Sequence, residues 1–161
     1  MKPSFEDPAE RGHLRLYYRN WRPTWFGRLS NRLWAWMCGL APTSDTLITL
    51  QVKDRRTGRL RSTILATTTH EGARYVVSML GNDSEWVQNV RATGGEAFVK
   101  RGGCNPVRLT ELPPGDRAPM LKAWCRVATS GRRHLPVRHD APVSAFESIA
   151  AEYPVFRIDR D

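Results

Sequence analysis

A chain of 161 residues with 40% hydrophobic and 25% charged side chains can bury one real core and is too apolar to be disordered throughout. It has no run of about 18 apolar residues to make a transmembrane helix, and Met1 to Pro8 lacks the apolar centre of an export signal. The net charge of +9 points to an anionic partner, whether nucleic acid, a membrane face or a phosphorylated or polycarboxylate ligand, although an arginine excess from a GC-rich genome explains it equally well.

Residues 1–20 are polar and aperiodic and are expected to form a loosely ordered arm ahead of a single domain over 21–161. Phe26, Leu29, Leu33, Trp36, Met37 and Leu40 recur at steps of three and four, which predicts an amphipathic helix over 24–40. Such a helix packs on its own core, lies at an anionic membrane face with tryptophans at headgroup depth, or forms a dimer contact.

After Pro42 the period becomes two. Ile48, Leu50 and Val52 alternate with polar residues in a first strand, and a turn over Asp54 to Gly58 leads into a second strand over Leu60 to Thr69. A third strand is expected over Arg74 to Leu80, with Tyr75, Val77 and Met79 on one face. Asn82 and Glu85 resemble a capping box for a short helix with Trp86 and Val90 on its buried side. A hairpin over 97–110 follows, then a helix with a stripe of Leu121, Trp124, Cys125 and Ala128. A basic loop over 129–139, a last helix over 143–153 and a closing strand over 154–158 complete the chain. The sum is an α+β fold of about six mainly antiparallel strands, which closure into a small barrel would free of edges.

No familiar catalytic motif is present, and the four histidines have no partners at metal-ligand spacing. Cys38, Cys104 and Cys125 are widely spaced and odd in number, which argues against a disulfide framework and for a reducing, cytoplasmic setting, with the membrane's inner face as an alternative. Cys38 and Cys125 read as inert core thiols and Cys104 as a turn residue.

The most informative stretch is Arg55-Arg56-Thr57-Gly58-Arg59-Leu60-Arg61. Four arginines around one turn repel one another, guanidinium forks suit phosphate or carboxylate, and the Thr57-Gly58 backbone can present N–H groups to an anion. The pattern predicts an anion seat. Nucleic acid is not the expected anion, because the aromatic residues are not interleaved with basic ones on a sheet face.

The Arg55–Arg61 turn, followed by a strand ending in Thr-Thr, Trp86-Val87-Gln88-Asn89-Val90-Arg91-Ala92, and Tyr153-Pro154-Val155-Phe156-Arg157 in that order, resembles the deazaflavin (coenzyme F420)-dependent nitroreductase family. The likeness runs from about Trp21 to Ile158. It implies a split β-barrel related to FMN-binding flavoproteins and an oxidoreductase passing a hydride from F420H2 to a quinone-like or nitro acceptor. The resemblance implies that Arg55, Arg56, Thr57, Gly58, Arg61 and Ser62 hold the phosphate and glutamate tail of F420. By the same analogy Ser78, Met79, Leu80 and Gly81 line the deazaflavin ring, Trp86, Asn89 and Arg91 support that wall, and Trp36, Tyr153 and Phe156 border the acceptor. A homodimer is a further expectation. The sequence departs from the family pattern where Lys53-Asp54 replaces the opening Thr-Gly, where Leu60 replaces a proline, and where Leu80-Gly81-Asn82 replaces Lys-Gly-Gly. Related split barrels bind FMN, heme, biliverdin or fatty acids, so a non-catalytic barrel for a fatty acid, tetrapyrrole or other flavin-like anion is the alternative reading, with FMN or no cofactor in place of F420.

Overall fold

A computed structural model describes residues 18–19, 22–23, 46–100 and 104–160. The helix expected over 24–40, with Trp36 and Cys38, lies outside the described residues. Within the stretch read as a loose arm and just beyond it, β1 (Tyr18–Arg19) pairs antiparallel with β2 (Arg22–Pro23).

The alternating segments close into one barrel. Its strands are β3 (Leu47–Lys53), β4 (Leu60–His70), β5 (Ala73–Val77), β6 (Glu96–Lys100), β7 (Cys104–Glu111) and β8 (Val155–Arg160). Around the barrel the order is β3-β4-β5-β8-β7-β6, every ladder is antiparallel, and β6 returns to β3. The long β4 makes this possible by serving two neighbours: its first half pairs with β3 up to Ala66, and from Thr67 it pairs with β5.

The period-two pattern sorts residues between two cores. Ile48, Leu50, Val52, Val76, Val99, Leu109 and Phe156 fill the barrel, together with Val87 and Val90 from α1 (Glu85–Ala92), which packs against that core. Tyr75, Val77 and Val155 face outward and are covered by α2 (Ala118–Val127) and α3 (Val143–Glu147). The expected stripe of Leu121, Trp124, Cys125 and Ala128 is buried in this second core, and the Trp124 indole N–H donates to Ala66 O at 2.9 Å. Burial pushes the Cys125 thiol up to about 11, so it stays protonated and inert.

Several expected boundaries move. The third strand ends at Val77 rather than Leu80, because the Ser78 N–H leaves the ladder for Pro154 O and the chain turns, with Gly81 N–H donating to Ser78 O. Gly81 sits at φ +79°, where a side chain would be strained. The Asn82–Glu85 capping box does not form: the Asn82 amide donates to the carbonyls of Ala151 and Glu152, and Ser84 takes the N-cap position. On α1 the buried face is Val87, Asn89 and Val90, while Trp86 is half-buried with its ring 5.3 Å from that of Phe156. The basic loop contains a 3-10 turn over Gly131–His134, and the last helix stops at Glu147, although Phe146, Ile149 and Ala150 are buried as expected. Gly95 (φ +91°) ends the turn after α1 where β7 passes so close that a Cβ would stand 2.5 Å from Leu109 O.

Candidate functional site

The β3–β4 hairpin is organised by a residue outside the arginine set. Asp54 is only 8% exposed, and its Oδ1 accepts from the backbone N–H of Thr57 (2.8 Å), the backbone N–H of Arg56 (3.0 Å) and the Thr57 hydroxyl (3.1 Å). Its Oδ2 accepts from Arg61 Nε at 3.1 Å. Gly58, at φ +70°, closes the turn by donating its N–H to Asp54 O at 2.8 Å. The Thr57 N–H, followed by the other donors and against the cost of burial, holds the Asp54 carboxyl down at about 2. This corrects one expectation: the backbone N–H groups of Thr57 and Gly58 are both taken by Asp54, at Oδ1 and at its carbonyl oxygen, and are not presented to an external anion.

The hairpin is then fastened to α1. Asn89, 2% exposed, accepts at Oδ1 from the Arg55 backbone N–H (3.1 Å) and from Arg55 Nη1 (2.9 Å). The same Nη1 lies 2.9 Å from Glu85 Oε2. Two of the four arginines are therefore braced, Arg55 by α1 and Arg61 by Asp54. Arg56 and Arg59 are exposed and make no side-chain ion pair among the described residues. Five cations over 53–61 face two carboxylates, Asp54 and Glu85, so the hairpin keeps a positive surplus.

The turn after β5 braces the start of α1. The Ser78 side chain, 1% exposed, shares a 2.8 Å hydrogen bond with the Ser84 hydroxyl and donates to Gly81 O. Ser78 is thus a sealed strut rather than a ligand-facing wall, Met79 packs into the core under α2, and Leu80 and Gly81 are half-buried. Ser62 is engaged across the strands by Gln51 Nε2 at 2.9 Å.

Other expected site residues are committed elsewhere. Arg91 grips Glu111 with two bonds of 2.7 and 2.8 Å and reaches Asn82 Oδ1 at 2.8 Å. Glu111 also receives the buried Arg117 at 3.0 Å, and the two arginines hold its carboxyl below the usual range, Arg91 foremost. Arg117 further donates to Leu112 O and Ala150 O, tying α2 to β7 and to the turn after α3. Tyr153 and Phe156, expected at an acceptor pocket, are core residues in two different cores: Tyr153 donates its hydroxyl to His134 O, and Phe156 packs on Trp86 inside the barrel. Trp36 lies outside the described residues.

Among the described residues a shallow depression of about 270 Å³ lies beside Leu135 and His139 and another of about 210 Å³ beside Arg91 and Glu111; neither is lined by the hairpin arginines. Among the described residues no three His, Cys, Asp or Glu side chains gather as metal ligands, and no helix is long and apolar enough to cross a membrane. The exposed Cys104 thiol contacts Gln51 Oε1 at 3.7 Å.

Sequence reasoning singled out the hairpin arginines and Asn89 but not Asp54 and Glu85, which brace two of those arginines. An aspartate opening a turn that ends in Thr-Gly is a signal for a side chain folding back onto its own backbone, and it was available.

The family model described as F420H(2)-dependent quinone reductase matches residues 32–133, more than half of the chain. A solved structure described as a domain-swapped dimer is 17% identical, with a TM-score of 0.52 over 84% of this chain and 97% of its own. A protein of unknown function from Agrobacterium tumefaciens str. C58 is 12% identical, with a TM-score of 0.50 over 82% of this chain and 54% of its own. A structure described as an F420-H2 dependent reductase is 18% identical, with a TM-score of 0.47 over 74% of this chain and 98% of its own. The first two of these share the barrel fold. No curated protein matches the sequence.

Proposed function

We propose, because the chain belongs to the F420H2-dependent quinone reductase family and carries a braced arginine hairpin, that it reduces a quinone-class or nitro acceptor with the hairpin as the seat for the cofactor's negative charge. The chain is an oxidoreductase of a family that depends on reduced F420.

The observation that carries the reading is the division of labour among the arginines. Asp54, Glu85 and Asn89 fix the frame, and Arg56 and Arg59 remain free to take a ligand. Bracing the frame lowers the ordering cost of binding, because fewer rotamers are frozen when the anion arrives. Coenzyme F420 carries a phosphate and a tail of linked glutamates, and several separately placed guanidinium groups fit that charge pattern. The donor set therefore suits the group. When bound, the reduced deazaflavin supplies the hydride.

This chain's own residues then do three things. Arg56 and Arg59 bind the anionic groups, with Arg55 and Arg61 adding their remaining N–H donors. Asn89 orients Arg55 and so sets the hairpin against α1. Trp86, on the same helix as Asn89 and half-buried on Phe156, gives the site an aromatic wall. No acid or base is required of the protein in binding. We include a homodimer in the proposal, with the exposed Leu60 and Phe98 as apolar surface available to it.

The test is turnover: the purified protein is mixed with F420H2 and, in turn, a menaquinone analogue and a nitroaromatic compound, and F420H2 oxidation is followed. Acceptor-dependent oxidation that is lost in an Arg56→Ala/Arg59→Ala variant supports the reading. No oxidation with either acceptor, together with a copurified fatty acid or tetrapyrrole in the mass spectrum, replaces it with a non-catalytic barrel.

A further inference from the structure

We propose that Asp54 is a built-in anion: a positioning residue that fills the backbone N–H nest of the β3–β4 turn and so directs a bound ligand's negative groups onto the guanidinium groups of Arg56 and Arg59. The inference rests on the reading of the hairpin as a cofactor seat and deepens it to ligand selectivity.

Consecutive backbone N–H groups around a tight turn form a concavity that binds a compact anion. In this hairpin the N–H groups of Arg56 and Thr57 converge in that way, but on Asp54 Oδ1, at 3.0 and 2.8 Å. The Thr57 hydroxyl adds a third donor to the same oxygen, and Arg61 Nε takes the other oxygen at 3.1 Å. The carboxylate cannot easily swing away. The Asp54 main chain is bonded on both sides, its N–H to Arg59 O and its carbonyl to the Gly58 N–H, each at 2.8 Å. An external phosphate entering the nest would displace a charge-assisted acceptor and face a like charge a few ångströms off, where repulsion is strong in a partly desolvated turn.

The consequence is selectivity. A ligand whose charge is concentrated in one phosphate loses the strongest anion position the turn could offer. A ligand whose charge is spread over a phosphate and several carboxylates can engage Arg56, Arg59 and the spare donors of Arg55 and Arg61 one group at a time. Asp54 therefore favours an extended polyanion over a monophosphate such as FMN.

The experiment follows the backbone amide resonances of Arg56 and Thr57 in the full chain, ¹⁵N-labelled, during titration with inorganic phosphate. In the parent protein these two amides are expected to stay still. In Asp54→Gly, which empties the nest, both are expected to shift saturably, with phosphate held at least 10-fold more tightly than by the parent. Asp54→Ala, which also removes the acceptor, is read in the same way if the glycine variant does not fold. The preference for F420 over FMN, measured by tryptophan quenching, should fall in the same variants. Saturable shifts of both amides in the parent overturn the inference, as does a folded variant whose amides ignore phosphate. The phosphate readout does not involve F420. A parent that fails to bind F420 while its amides behave as described defeats the cofactor reading alone; F420 binding with contrary amide behaviour defeats this inference alone.

Discussion

Asn89 Oδ1 accepts both the backbone N–H and Nη1 of Arg55, at 3.1 and 2.9 Å, across a sequence separation of 34 residues. One buried amide oxygen thus joins the tip of a hairpin to the middle of a helix. It explains why an asparagine belongs in the Trp-x-x-Asn-x-Arg-Ala stretch. Asn89→Ala should leave the Arg55 N–H without its acceptor in a partly buried site, at a cost of about 1–3 kcal/mol. Urea denaturation should show that loss together with weaker F420 binding. A variant with parental stability and affinity would contradict the brace.

Arg56 and Arg59 should separate affinity from stability. Neither is paired among the described residues, so Arg56→Ala/Arg59→Ala is expected to move stability by less than about 0.5 kcal/mol. Losing two charge-assisted contacts should weaken F420 binding by about 10-fold or more, a tenfold change being about 1.4 kcal/mol. Arg55→Ala, by contrast, should lower both, because its side chain also bonds Glu85 and Asn89.

Asp54 gives the pH dependence a sign. Its folded-state carboxyl is held down at about 2 against an ordinary value of 3.8. A lowered folded value means the stabilisation is fully present above the ordinary value and is lost as pH falls from about 4 toward 2. Thermal denaturation from pH 5 to pH 2 should therefore show the parent losing its advantage over Asp54→Asn across that window. A gap between the two that persists unchanged down to pH 2 would contradict the hydrogen-bonded carboxylate.

Arg117 and Arg91 share Glu111 but should not cost the same. Arg117 is 4% exposed and bonds two backbone carbonyls besides the carboxylate, so Arg117→Ala should cost about 2–4 kcal/mol by taking the donor from Leu112 O and Ala150 O, while Glu111 keeps Arg91. The Arg91 side chain is 36% exposed, and solvent screening should hold Arg91→Ala to about 1 kcal/mol or less. Equal losses in chemical denaturation would contradict this division.

The barrel was legible because periodicity in sequence maps directly onto burial. Ile48, Leu50 and Val52 alternate with polar residues, and so do their faces; Leu121, Trp124, Cys125 and Ala128 recur at helical steps and share one core. The resemblance supplied the family, and the arginines marked the hairpin. Long-range commitments of polar side chains were not legible. Nothing local told that Arg91 would be taken by Glu111, that Asn82 would bond the carbonyls of Ala151 and Glu152, or that Ser78 would bond Ser84. Tyr153 and Phe156 looked like pocket residues because aromatic side chains suit pockets and cores alike, and only the register of β8 and the turn before it assigns them to cores. Asp54 was masked by its neighbours, since an acidic residue inside a basic run reads as a diluting charge until its four donors are seen.

The most direct test of the hairpin as cofactor seat is a fluorescence titration of the parent and of Arg56→Ala/Arg59→Ala with F420 and, separately, with FMN, following tryptophan quenching. Trp86 stands on the helix that braces the hairpin, so occupancy should reach it. The account predicts saturable quenching of the parent by F420 and not by FMN, weakening by about 10-fold or more in the double variant. Equal F420 affinity in parent and variant, or a parent that responds to neither ligand, would contradict it.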